Sequence, residues 1–175
     1  MLKKLIPLAA VMMATVSAGN AMAATAQIKF HGSIVDSTCD IIAADKDKTV
    51  ELGSFPKTMF KTAGSVSPAK AFTITLENCN DEGQKYGIRF DGRTFANDSS
   101  LIQLDKDSDS AGSLGVQLLN NNDEVLNIAE QNTQADFVSS GANKVITLKA
   151  RYKSVKDDVQ PMDDNATVRF AIEYK

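Results

Sequence analysis

"ATVRFAIEYK", residues 166–175, closes the chain. Ala166, Val168, Phe170, Ile172 and Tyr174 are apolar, and the residues between them, Thr167, Arg169, Ala171, Glu173 and Lys175, are mostly polar. A period of two sustained over nine residues is the pattern of a β-strand with one buried face. A strand has two edges, and a bare edge with this much apolar patterning is a liability for aggregation. The rest of the sequence has to supply its neighbours.

Working outward, further short segments carry the same period. "QIKFHGSIVDSTCDI" alternates through Ile28, Phe30, Gly32 and Ile34, and "TVELG" follows at Thr49–Gly53. "AFTITLENC" puts Phe72, Ile74 and Leu76 on one face, and "YGIRFDG" does so with Tyr86, Ile88 and Phe90. Strands are expected at Gly115–Asn120, Val125–Ile128 and Lys144–Tyr152, the last with Ile146, Leu148, Ala150 and Tyr152 as its buried row. Asn80–Gly83, Asp91–Gly92, Asn120–Asp123 and Ser139–Asn143 have turn composition. Glu124–Gln134 contains good helix formers, but Val125, Asn127, Ile128, Asn132 and Thr133 dilute them, so it reads as strand plus loop. Many short strands without a βαβ rhythm predict a single all-β sandwich domain.

The first 23 residues are expected to be a signal peptide: Lys3 and Lys4, an apolar run from Leu5 to Val16, then Ala21-Met22-Ala23 as a cleavage site. That run is too short to span a bilayer. The 152 residues from Ala24 to Lys175 carry 17 basic and 22 acidic side chains, a net charge of −5. An acidic surface argues against nucleic acid as a partner, because phosphate binding needs a basic face. In an exported chain the two cysteines, Cys39 and Cys79, predict one disulfide. Closing that loop contributes roughly 4 kcal/mol by the chain-entropy argument. Zinc would need four nitrogen or sulfur ligands, and the one histidine is His31.

The inventory leaves little for catalysis. With a single histidine and no cysteine expected to be free, nucleophilic chemistry has almost no material, and neither catalytic residues nor a cofactor are expected. Asp105, Asp107 and Asp109 alternate as in a calcium loop, but its sixth and twelfth positions are Ser110 and Val116 rather than Gly and Glu. A solvated acidic loop is expected there. The sequons at Asn97 and Asn165 read as ordinary turn and strand residues.

What remains is a mismatch of edges. "ATAQIKFHG", residues 24–32, is an alternating segment with no turn-linked partner, and the terminal strand is equally unpartnered. Either the two pair within one sandwich, or each pairs with another molecule by strand addition.

The sequence resembles the chaperone–usher pilins, in particular the type 1 fimbrial subunits of Gram-negative bacteria. The stretches that carry the likeness are "FHGSIVDSTCDI", "VELGSFPKTMFKTAGSVSPAKAFTITLENC", "LGVQLLNNNDEVL", "ITLKARY" and "NATVRFAIEYK". They span nearly the whole mature chain in the family's order, as does the spacing of 40 positions from Cys39 to Cys79. The resemblance implies an immunoglobulin-like β-sandwich that lacks its last strand and is completed by donor-strand complementation. Residues 24–32 would be the donor extension and residues 33–175 the pilin domain. Ala26, Ile28 and Phe30 would be the inserted row, with Gly32 where a side chain would not fit, and Val168, Phe170, Ile172 and Tyr174 would form a wall of the acceptor groove. The implied partners are a periplasmic chaperone, an outer-membrane usher and neighbouring subunits in a head-to-tail homopolymer. The implied destination is a cell-surface fimbrium that supports adhesion. The family's usual glycine fourteen residues from the C-terminus is Met162 here. A shaft subunit is the preferred role, a tip adaptor the alternative, and a monomeric exported sandwich binding a small ligand or calcium a rival from another class.

Overall fold

A computed structural model describes residues 28–29, 39–79, 85–106, 111–128, 137–138 and 143–174. The chain divides into two compact units, Met1–Ile34 and Val35–Lys175. Only Ile28 and Lys29 of the first are described. The expected signal segment, Ala26, Phe30, His31 and Gly32 therefore lie outside the described residues.

Among the described residues the second unit has nine strands: β1 (Asp40–Ile41), β2 (Lys70–Glu77), β3 (Lys85–Gly92), β4 (Thr94–Phe95), β5 (Asp98–Gln103), β6 (Leu114–Leu119), β7 (Phe137–Val138), β8 (Lys144–Ser154) and β9 (Val168–Tyr174). Short 3-10 turns at Ala43–Asp45, Lys57–Phe60 and Ala111–Ser113 are the only helical pieces among the described residues. The strands form a six-stranded sheet in the order β1-β2-β8-β6-β5-β4 and a three-stranded sheet in the order β7-β3-β9. Every pairing between named strands is antiparallel.

The alternation accounts for the layering. In the larger sheet Ile74 lies opposite Ile146 and Phe72 opposite Leu148, and β6 adds Leu114, Val116 and Leu118. In the smaller sheet Tyr86, Ile88 and Phe90 form the inward row of β3. These rows belong to one continuous core, together with Leu104, Leu126, Ile128 and Val159 from the connections. Burying each large side chain is worth about 1.5–3 kcal/mol, so the core between the sheets dominates the stability of this unit. On the opposite face of β6, Gly115 makes room for a crossing aromatic ring. A Cβ there would sit 2.7 Å from Leu101 Cγ, 2.8 Å from the Ile102 carbonyl oxygen and 2.9 Å from Phe95 Cε2.

Four expectations are corrected. Asp91–Gly92 is the end of β3 rather than a turn, because its ladder with Arg169 and Val168 continues that far. Val125–Ile128 is not a strand: it makes a single bridge, Leu119 to Val125, while Leu126 and Ile128 drop into the core. Tyr152 is only half-buried, unlike Ile146, Leu148 and Ala150 in the same row. Thr49–Gly53 has no ladder partner among the described residues despite its alternating pattern. The expected turn at Asn120–Asp123 is present, closed by the Asn120 side chain, whose Oδ1 accepts from the amides of Asn122 and Glu124 at 2.9 and 3.0 Å.

Candidate functional site

β9 pairs with β3 along one edge, from Tyr86 opposite Tyr174 to Gly92 opposite Val168. Its other edge has no strand beside it among the described residues. The side chains report the same boundary. Ile88 and Phe90 on β3 are 0% and 3% exposed. Their direct partners Ile172 and Phe170 on β9 point to the same face, yet they are only half-buried, as is Val168. Cross-strand neighbours on one face of a sheet normally share their burial. Among the described residues the cover over the core therefore stops at β9.

Other apolar side chains are also incompletely buried. Leu52, Phe55, Met59, Tyr152, Met162 and Ala166 are partly buried and packed against the core alongside Val168, Phe170 and Ile172. A cavity of about 360 Å³ opens where the residues after Thr49–Gly53 meet those before β9, with Phe55, Phe60, Leu104, Leu114, Tyr152 and Met162 among its walls. Phe55 and Tyr152 stand edge to face there, centroids 6.2 Å apart. Burial first, and then the carboxylates of Asp163, Glu51 and Asp164, push the Tyr152 phenol up from its ordinary pKa. Met162 is half-buried in the cavity wall and is not among the described residues with positive φ. Its backbone therefore does not require the glycine usual in the family.

The start of β9 is fixed by Asp105. Its carboxylate accepts from the Thr167 amide at 3.2 Å and from the Thr167 hydroxyl at 2.8 Å, and its own amide donates to the Asn165 carbonyl at 2.7 Å. The first aspartate of the suspected calcium loop is thus engaged in positioning the terminal strand, and Asp107 and Asp109 lie outside the described residues. Among the described residues no three metal-ligating side chains come together.

Cys39 and Cys79 are joined as a buried disulfide spanning 40 positions. Beyond it the chain runs as a strap along β2. β1 contributes two ladder pairs, Asp40 with Glu77 and Ile41 with Leu76. Next, the Ile42 amide donates to the Thr75 carbonyl at 3.2 Å. Asp45, 3% exposed, accepts from the Thr75 amide at 2.7 Å and forms an ion pair with Lys48, whose ammonium also donates to the Thr73 carbonyl at 2.7 Å. The Lys48 hydrogen bond, opposed by burial and assisted by the Thr75 amide, holds the Asp45 carboxyl below its usual range. The strap leads directly into Thr49–Gly53.

Of the residues expected at the site, Val168, Phe170 and Ile172 share one row of β9, and Tyr174 lies in that strand. Ile28 is 77% exposed. Ala26, Phe30 and Gly32 lie outside the described residues. Sequence reasoning missed Leu52, Phe55, Met59, Met162 and Asp105. Leu52 lies in a short alternating segment, Phe55 and Met59 lie in a segment with loop composition, and the pairing of Asp105 with Thr167 spans 62 positions.

The family model described as fimbrial protein matches residues 28–175. A type-1 fimbrial protein subunit of Serratia marcescens is 37% identical, with all of both chains covered. A probable major fimbrial subunit of Escherichia coli O157:H7 is 31% identical over 85% of this chain and 83% of its own. Among solved structures, the P pilus rod subunit PapA has a similar fold, with a TM-score of 0.67 and 17% identity, covering 78% of this chain and 99% of its own.

Proposed function

The chain belongs to the fimbrial protein family, and from that premise we propose how its two ends act together. It is a structural subunit of a fimbria, with an incomplete immunoglobulin-like sandwich fold. It is exported to the cell surface through the chaperone–usher pathway and is assembled with neighbouring subunits to support adhesion. The residue assignments that follow are ours. The uncovered edge of β9 is the acceptor groove, walled by Val168, Phe170, Ile172 and Tyr174. Ala24–Gly32 of another copy is the donor, inserting Ala26, Ile28 and Phe30, with Gly32 at the tight position. The pilin domain then comprises residues 33–175.

One observation carries this reading: Ile172 and Phe170 are only partly buried beside the fully covered Ile88 and Phe90. Covering the row with Ile28 and Phe30 contributes about 1.5–3 kcal/mol per inserted side chain. Ladder hydrogen bonds to the free edge add roughly 1 kcal/mol each. The sum approaches the 5–15 kcal/mol that stabilises a whole domain, so an unfilled subunit is marginal and a filled one very stable. Because donor and acceptor are different surfaces, the contact is heterologous and propagates as a filament. The likeness to a probable major fimbrial subunit supports a shaft position over a tip adaptor.

Deleting Ala24–Phe30 tests the assignment. The truncated subunit should still be captured by its chaperone and should fail to polymerise; fibres formed without the segment would refute it. Immunogold label along whole filaments supports the shaft role, and label confined to filament ends supports the tip role.

A further inference from the structure

Among the described residues β9 is not alone in having an edge that no strand covers along its length. β1 pairs with only Glu77 and Leu76 of the eight residues of β2. Unpaired amides and carbonyls along such an edge are a template for the strand of another chain. Each copy carries an alternating segment at Ala24–Gly32, so in a fibre a bare β2 would compete with β9 for the same donor.

The edge of β2 is occupied by side chains instead. The register that sets Ile41 opposite Leu76 puts Ile42 opposite Thr75, and the Ile42 amide donates to the Thr75 carbonyl at 3.2 Å. In a continued ladder the Ile42 carbonyl would accept from the Thr75 amide in return. The 3-10 turn at Ala43–Asp45 diverts it, and the Ile42 carbonyl accepts from the Asp45 amide at 3.0 Å. The Asp45 carboxylate takes its place, accepting from the Thr75 amide at 2.7 Å. Two residues along β2, the Lys48 ammonium donates to the Thr73 carbonyl at 2.7 Å, where a further strand residue would have offered its amide. The two side chains also form an ion pair, and Asp45 is 3% exposed. The ladder that stops at Ile42 is thus continued by an acceptor and a donor that have no backbone to extend. An incoming strand would have to displace both and leave a buried carboxylate without its partners, which is costly.

Resting on the donor assignment made above, we propose that Asp45 and Lys48 are an edge guard, a pair that keeps the extension of another copy off β2 and so directs it to β9. A pair that only stabilised the fold would affect the unfolding of a subunit and leave unchanged where a donor binds.

Fibres assembled from the chain beginning at Ala24 provide the test, because neighbouring subunits already occupy their β9 edges. A labelled peptide of sequence Ala24–Gly32 that carries a photo-cross-linking group is added to fibres of the parent and of Asp45→Ala, Lys48→Ala and Lys48→Arg. Label along the fibre sides is counted by electron microscopy, and cross-linked positions are mapped by mass spectrometry. Asp45→Ala and Lys48→Ala fibres should take up at least about tenfold more peptide per subunit than the parent, the scale of two edge hydrogen bonds made available to it. Their cross-links should fall within Lys70–Glu77. Lys48→Arg keeps a cationic donor and should stay within about twofold of the parent. Lys48 is exposed, so Lys48→Ala carries the comparison if Asp45→Ala subunits do not assemble. Variant fibres with a lower urea midpoint but no more peptide than the parent would overturn the guard. So would extra peptide cross-linked outside β2, or parent fibres already cross-linked at β2. None of these results touches the donor assignment, which the Ala24–Phe30 deletion tests separately.

Discussion

Phe170→Ala separates a residue that supports the domain from one that supports the joint between domains. Phe170 is half-buried, opposite Phe90 in the ladder, with ring centroids 6.4 Å apart at 50°. Full burial of a phenylalanine is worth about 1.5–3 kcal/mol, so the exposed part, at most about a third, is worth up to about 1 kcal/mol once a donor closes over it. Removing the ring should therefore raise the Kd for a peptide of sequence Ala24–Gly32 several-fold, up to about fivefold, since 1.4 kcal/mol corresponds to a factor of ten. The assay is fluorescence anisotropy with a labelled peptide and a subunit shortened to begin at Ser33. Ile74→Val is the control. Ile74 is 2% exposed within the core, so its truncation costs about 0.5–1.5 kcal/mol of stability and should leave the peptide Kd unchanged. A Phe170→Ala subunit that is less stable but binds the peptide within twofold of the parent would refute the reasoning, because the β9 row would not be the surface the donor covers.

Two further outcomes follow from the packing and charge of the domain. Gly115→Ala places a methyl group against the Ile102 carbonyl and the Phe95 ring and should cost about 1–3 kcal/mol, read as a lower urea midpoint of the peptide-filled subunit; an unchanged midpoint would mean that Phe95 does not lie over β6. Asp45→Ala leaves the Thr75 amide without its charged acceptor and should cost about 1.5–3 kcal/mol at neutral pH. Because the folded Asp45 pKa lies below its unfolded value, its stabilisation is fully present above about pH 4 and is lost as pH falls through the depressed folded value. The difference in urea midpoint between parent and variant should therefore shrink below pH 4, and a difference that persisted undiminished into the acid range would contradict the assignment.

The sandwich was legible because its strands alternate. Ile74 with Leu76, Ile88 with Phe90, and Ile146 with Leu148 each declare one buried face, and their faces meet in one core. Short elements escaped. β4 is two residues long and β5 begins "DSS", too brief or too polar for a period to register. Thr49–Gly53 illustrates the opposite failure: its alternation is genuine, with Val50 and Leu52 half-buried, but pairing needs a neighbour as well as a pattern. Gly92 continues β3 because Val168 lies opposite it, and neither residue's local sequence contains that information. The β9 row could be read from alternation, whereas the incompleteness of its burial could not, since a strand covered on one side or two carries the same period. The cavity wall drew on Phe60, Leu104, Leu114, Tyr152 and Met162, brought together only by the tertiary fold.

In the proposed joint the free edge of β9 is completed by Ala24–Gly32 of another copy. Amide hydrogen exchange tests it directly, comparing the subunit that begins at Ser33 alone, with the Ala24–Gly32 peptide, and with the same peptide carrying Asp at positions 28 and 30. The amides of Val168–Tyr174 pointing away from β3 should exchange rapidly in the free subunit. They should become strongly protected with the native peptide and stay unprotected with the Asp-substituted one. Equal protection of those amides in the absence of any donor would contradict it, because the edge would already be covered within a single chain.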